Sequence, residues 1–155
     1  MEAINMAATD PHFKYEVASH PGAEKLRMCF SCGTCTAACP VFRVETEYNP
    51  RKIIRMILLG MRKEVLSSGM IWLCARCYAC TANCPQGVNF ADIMAVLQDM
   101  AVKEGYASPD LSEKIERISE AAHVLRKQWI QLAAGAEGIS KKKIIEDITA
   151  EVKDF

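Results

Sequence analysis

Apolar residues recur at helical spacing along most of the chain. After Asn49-Pro50, the residues Ile53, Ile54, Ile57 and Leu58 fall on one face, and Met61 and Val65 continue it. Asn suits the position that caps a helix, and Pro suits the first helical turn. Gly60 interrupts the stripe, and an interior glycine costs about 1 kcal/mol relative to alanine. The pattern therefore predicts two helices, about 50–59 and about 61–67, joined at Gly60 and closed by Ser67-Ser68-Gly69.

A further helix is predicted from Asn89 as cap to Gly105, with Asp92 in its first turn and Phe90, Ile93, Met94, Leu97 and Met100 buried. Ser108-Pro109 opens the next. There Leu111, Ile115, Ile118, Ala122, Leu125, Trp129 and Leu132 alternate steps of four and three, a narrow seam resembling one face of a coiled coil. Gly135 and Gly138 break the chain. Ser140 then starts a last helix with Ile144, Ile145, Ile148, Val152 and Phe155 inward. Residues 1–20 read as an extended arm, and His20-Pro21 starts a short helix through Ala23–Met28. The run Val41–Tyr48 alternates weakly and is predicted extended over a few residues. Strand signals are otherwise nearly absent, so the fold class is all-α.

The polar gaps between these helices hold the chemistry. CFSCGTCTAACP begins at Cys29 and CARCYACTANCP at Cys74, each C-x2-C-x2-C-x3-C-P. Together they use every cysteine: Cys29, Cys32, Cys35, Cys39, Cys74, Cys77, Cys80 and Cys84. Three cysteines at this spacing in a non-helical loop wrap one face of a cubane cluster, with Gly33 and Ala79 letting the loop curl and aim N–H groups at sulfur. In two-cluster ferredoxins the fourth cysteine of each run ligates the other cluster. That rule assigns Cys29, Cys32, Cys35 and Cys84 to one [4Fe–4S] cluster, and Cys74, Cys77, Cys80 and Cys39 to a second. Structural zinc is the alternative, although it usually takes two separated C-x2-C pairs.

Composition narrows the rest. A chain of 155 residues buries about 68–70% of its unfolded surface, so no disulfide staple is needed. Lys plus Arg and Asp plus Glu each number 19, which removes a whole-molecule electrostatic argument for nucleic acid. No signal-peptide pattern and no span-length apolar run is visible, and a cytoplasmic location is expected, where cysteine clusters bind metal rather than pair. No glycine-rich nucleotide loop is present, and no cysteine is left over as a nucleophile. The chain therefore reads as a carrier of electrons without a substrate site of its own. His12, His20 and His123 lack ligand spacing and read as structural or surface residues. Trp72 reads as a shield over a cluster or as plain core. Arg76 and Tyr78, between ligands, are placed to tune one. Lys141-Lys142-Lys143 reads as a solvated face.

With these motifs placed, residues 24–100 resemble the C subunit of heterodisulfide reductases, through both cysteine runs and the text between and around them, NPRKIIRMILLG, EVLSS and IWLCARCYACTANCPQGV. The cluster arrangement is also similar to the helical ferredoxin domain of fumarate reductase and succinate dehydrogenase iron–sulfur subunits. The resemblance implies an all-helical two-cluster domain acting as a wire. An A subunit with flavin and iron–sulfur clusters would supply its electrons, and a B subunit with non-cubane clusters would receive them. A free two-cluster ferredoxin, or the iron–sulfur subunit of another oxidoreductase complex, is the competing reading. The predicted organisation is an arm over 1–23, the two-cluster domain over 24–105 and a helical extension over 106–155.

Overall fold

The structure is a computed structural model that describes residues 9–151. Val152 and Phe155, predicted to face inward, lie outside the described residues. The fold is all-α, with no strand among the described residues. The helices are α1 (Phe13–Ala18), α2 (Thr34–Ala37), α3 (Pro50–Leu58), α4 (Arg62–Leu66), α5 (Ala79–Ala82), α6 (Phe90–Lys103), α7 (Leu111–Ala133) and α8 (Lys141–Glu151). Two short 3-10 segments, Glu24–Met28 and Gly69–Leu73, run into the cysteine loops. The chain divides into two compact units, 1–108 and 109–155.

The core of the first unit gathers Ile53, Ile54 and Ile57 of α3, Val65 and Leu66 of α4, and Phe90, Ile93, Met94, Leu97 and Met100 of α6. These include the predicted inward face of α6 in full. Asn49 caps α3 by accepting the Lys52 N–H at 3.1 Å. Gly60 ends α3 at φ 77°, and the following Met61 N–H reaches back to the Met56 carbonyl at 3.0 Å, a helix stop that glycine makes without strain.

The first segment departs from the predicted arm. Residues 13–18 are helical, and Phe13 and Val17 are fully buried. Weak periodicity hides this helix because six residues offer only two inward positions. Its anchors come from elsewhere in the chain. The Asp10 N–H donates to the Gly60 carbonyl at 2.7 Å, and a Cβ on residue 60 would overlap the Asp10 carbonyl. Arg62 of α4 lies with its guanidinium 5.2 Å from the Phe13 ring centre. It pairs with Asp10 (3.2 Å), Glu16 (2.5 Å) and Glu104 (2.6 Å). Its hydrogen bond holds the Glu16 carboxyl below the usual range. Val41–Tyr48 is not extended either. It folds as successive turns, with the Val44 and Glu45 N–H groups both donating to the Val41 carbonyl.

In the second unit α7 and α8 pack together. Gln128 donates to Asp147 at 2.7 Å, and Ser140 caps α8 by accepting the Lys143 N–H at 3.2 Å. The predicted start of α7 shifts from Pro109 to Leu111. Ile144 is buried, Ile148 half-buried and Ile145 exposed. No residue of α7 is buried, and Trp129 in its seam is 42% exposed. Lys141, Lys142 and Lys143 are all exposed.

Candidate metal centre

Both cysteine loops are built on one plan. A 3-10 segment with a fully buried apolar residue, Leu26 or Ile71, delivers the chain to Cys29 or Cys74. Two residues later the backbone turns left-handed, at Ser31 (φ 62°) and Arg76 (φ 44°). It does so again after the second cysteine, at Gly33 (φ 86°) and Tyr78 (φ 57°), and these open α2 and α5. Tyr78, rather than the expected Ala79, thus provides the second curl. A side chain in this region costs about 1–2 kcal/mol, so the surroundings must hold it. The Tyr78 hydroxyl donates to Asp92 at 2.9 Å, which raises the pKa of Tyr78.

The plan continues past the third cysteine. Thr36 donates to the Asn49 side chain at 3.0 Å, and Thr81 donates to the Asn89 side chain at 2.8 Å. Each short helix is thus tied to the residue preceding the long helix that follows. The symmetry is imperfect at Asn89: its side chain caps no backbone N–H, and its carboxamide also donates to Asp92.

The loops enclose two cavities. One is lined by Cys29, Cys32 and Cys35 together with Cys84 of the second loop, and by Arg51, Ile54 and Val88. The other is lined by Cys74, Cys77 and Cys80 together with Cys39 of the first loop, and by Tyr48 and Arg76. Phe90, 2% exposed, lines both. Trp72 lines neither and packs against the core.

The donor sets fit iron–sulfur clusters. Among the described residues no three His, Cys, Asp or Glu side chains converge on a point for a single ion. Zinc needs its thiolates about 2.3 Å from one ion. Here the sulfurs are spread round cavity walls, as suits a group in which several irons share out the thiolates. The Val88 N–H donates to the Cys84 sulfur at 3.3 Å, and the Thr34 hydroxyl lies 3.3 Å from the Cys32 sulfur. Burial pushes the Cys35 and Cys80 thiols up, while the Thr34 hydroxyl brings Cys32 down. All must be deprotonated to bind iron, so loading releases protons.

Three contributors escape sequence reasoning. Tyr48 is buried against the second cavity, and that burial pushes its hydroxyl up, with the Cys74 thiol beside it. It closes the run Val41–Tyr48, whose weak alternation does not mark its last residue as buried. Gln98 is 4% exposed and interrupts the apolar face of α6. The Thr–Asn ties do leave a signal, since both motifs carry Thr after the third cysteine and both long helices follow Asn.

Comparison with known proteins agrees. Residues 25–88 match the family of 4Fe-4S dicluster domains. The C subunit of the H(2):CoB-CoM heterodisulfide,ferredoxin reductase of Methanothermobacter thermautotrophicus is 39% identical over 106 residues, covering 68% of this chain and 56% of that protein. The iron-sulfur C subunit of the CoB–CoM heterodisulfide reductase of Methanopyrus kandleri is 41% identical over 81 residues, 52% of this chain and 42% of that protein. The C subunit of the ferredoxin:CoB-CoM heterodisulfide reductase of Methanosarcina acetivorans is 41% identical over 96 residues, 62% and 38% of the two chains. The chain spans about half the length of the curated relatives it matches. Among the described residues no helix is long and apolar enough to cross a membrane. Residues 25–88 are thus a 4Fe–4S dicluster domain carrying two [4Fe–4S] clusters, in a chain homologous to the iron–sulfur C subunits of heterodisulfide reductases.

Proposed function

We propose that this chain is the electron-transfer subunit of a heterodisulfide-reductase-type complex in the cytoplasm. It would take electrons from a flavin-containing A-type subunit and pass them to a B-type subunit with non-cubane clusters. The observation that carries the reading is the pair of four-cysteine cavities separated by one buried ring, Phe90. A bound [4Fe–4S] cluster supplies a reversible one-electron couple. The residues around it hold that couple in place. Cys29, Cys32, Cys35 and Cys84 hold the first cluster, and Cys74, Cys77, Cys80 and Cys39 hold the second. The lining of each cavity by three cysteines of one loop and the fourth of the other supports this assignment. Phe90, Ile54 and Val88 exclude water from the inner walls, so a charge arriving on either site meets little solvent reorganisation. The exposed apolar residues of α7, Ile118, Val124, Trp129 and Ile130, are the face offered to the partner subunits.

Anaerobic gel filtration of the native protein tests the role. Elution together with a flavoprotein and a subunit carrying non-cubane clusters is expected. A brown protein that elutes alone, at its own mass, would make it a free two-cluster ferredoxin.

A further inference from the structure

The two cavities differ in how they meet positive charge. Arg76 lies between Cys74 and Cys77 and lines the second cavity. Its Nη2 donates to Gln98 Oε1 at 2.8 Å. Gln98 Nε2 in turn donates to the Ile71 carbonyl at 2.8 Å, in the 3-10 segment that leads to Cys74. Gln98 is the one buried carboxamide among the described residues, and no charged side chain is buried there. Its orientation is over-determined. Turning the carboxamide over would set its NH2 against the guanidinium and its oxygen against the carbonyl, two repulsive contacts in place of two hydrogen bonds. The first loop has neutral Ser31 where the second has Arg76. Arg51 lines the first cavity and, like Arg76, is exposed; the difference is that Arg76 is held by Gln98, whereas the hydrogen bond of Arg51 to a described residue runs from its backbone N–H to Thr36. A guanidinium held by a hydrogen bond keeps one distance from its site, whereas one without that hold averages over rotamers.

We infer that Gln98 is a positioning residue that fixes the Arg76 guanidinium over the second site, making that site the easier of the two to reduce. The reduced cluster carries one more negative charge than the oxidised one, so a fixed cation beside it favours reduction. This rests on the proposed electron-transfer reading and adds to it an order: an electron entering the chain settles at the site of Cys74, Cys77, Cys80 and Cys39. Gln98 then acts on the couple only through Arg76.

The test is an anaerobic redox titration of the isolated, fully loaded protein, with dithionite as reductant and the two reduced clusters followed by electron paramagnetic resonance. In Arg76→Gln, the higher of the two midpoints should fall by about tenfold in reduction equilibrium, 59 mV for one electron, with little change in the other. Arg76→Lys should recover most of that shift. Gln98→Met keeps the cation but frees it, and should lower the same midpoint by a smaller amount. The double variant Arg76→Gln/Gln98→Met should match Arg76→Gln alone, because Gln98 has nothing left to position. Two unmoved midpoints in Arg76→Gln would overturn the inference. So would an unmoved midpoint in Gln98→Met, or full additivity in the double variant, since a mere loop staple gives those results. The titration needs no partner, so loss of the complex in gel filtration counts against the electron-transfer role without touching these midpoints.

Discussion

Ser31, Arg76 and Tyr78 hold left-handed backbone that L-residues avoid, and all three lie inside the cysteine loops. Strain of about 1–3 kcal/mol per site persists only where neighbours over-determine it. Here the Tyr78–Asp92 and Arg76–Gln98 hydrogen bonds do so. The curl aims three sulfurs into one cavity and leaves the fourth to its neighbour. Cys39 is buried and lines the second cavity, although it belongs to the first loop. Cys39→Ser is therefore expected to lose or convert the cluster held by Cys74, Cys77 and Cys80, while the cluster held by Cys29, Cys32 and Cys35 keeps its signal. Mössbauer and paramagnetic resonance spectra of the variant check this. Damage confined to the first cluster would refute the crossed assignment.

At the scale of elements, legibility in the sequence depends on length. The long helices α3 and α6 carry several inward residues each, and Asn49-Pro50 and Gly60 mark boundaries by mechanisms that hold in isolation. The four-residue helices α2 and α5 have no periodicity to read. They exist because left-handed residues start them and the Thr36–Asn49 and Thr81–Asn89 bonds fasten them, each bond contributing about 1 kcal/mol. The helix α1 escapes the sequence for a related reason: its support is Arg62 and Gly60, remote along the chain. The eight cysteines proposed as ligands stand out by spacing alone, whereas Gln98 reads as a flaw in an apolar face. The second unit gives the element-scale prediction. Truncation after Ser108 is expected to leave both clusters assembled and reducible by dithionite, because no cysteine lies beyond Cys84. Co-purification with the partner subunits should be lost. Assembly of the truncated protein at full strength would assign docking to the cluster loops.

Across the whole molecule, each set of four cysteines draws on two distant segments of chain, so iron and fold are coupled. Oxidative iron chelation should markedly loosen the first unit. Circular dichroism should show reduced helical signal, and limited proteolysis should cut between residues 29 and 89, while α7 and α8 hold no ligand and should be affected least. Unchanged signal and unchanged protease resistance would show that the apolar core of α3, α4 and α6 suffices alone.

The interleaving of the loops also imposes an order in time. As the chain leaves the ribosome, Cys29, Cys32 and Cys35 emerge early but wait for Cys84 before their set is complete. The set lined by Cys39 closes first, when Cys80 appears, and the other closes only four residues later. From the emergence of Cys29 until that of Cys80 the nascent chain therefore exposes thiols with no complete site to occupy. Both sites become available almost together, so maturation machinery meets a chain that is ready for two clusters or for none.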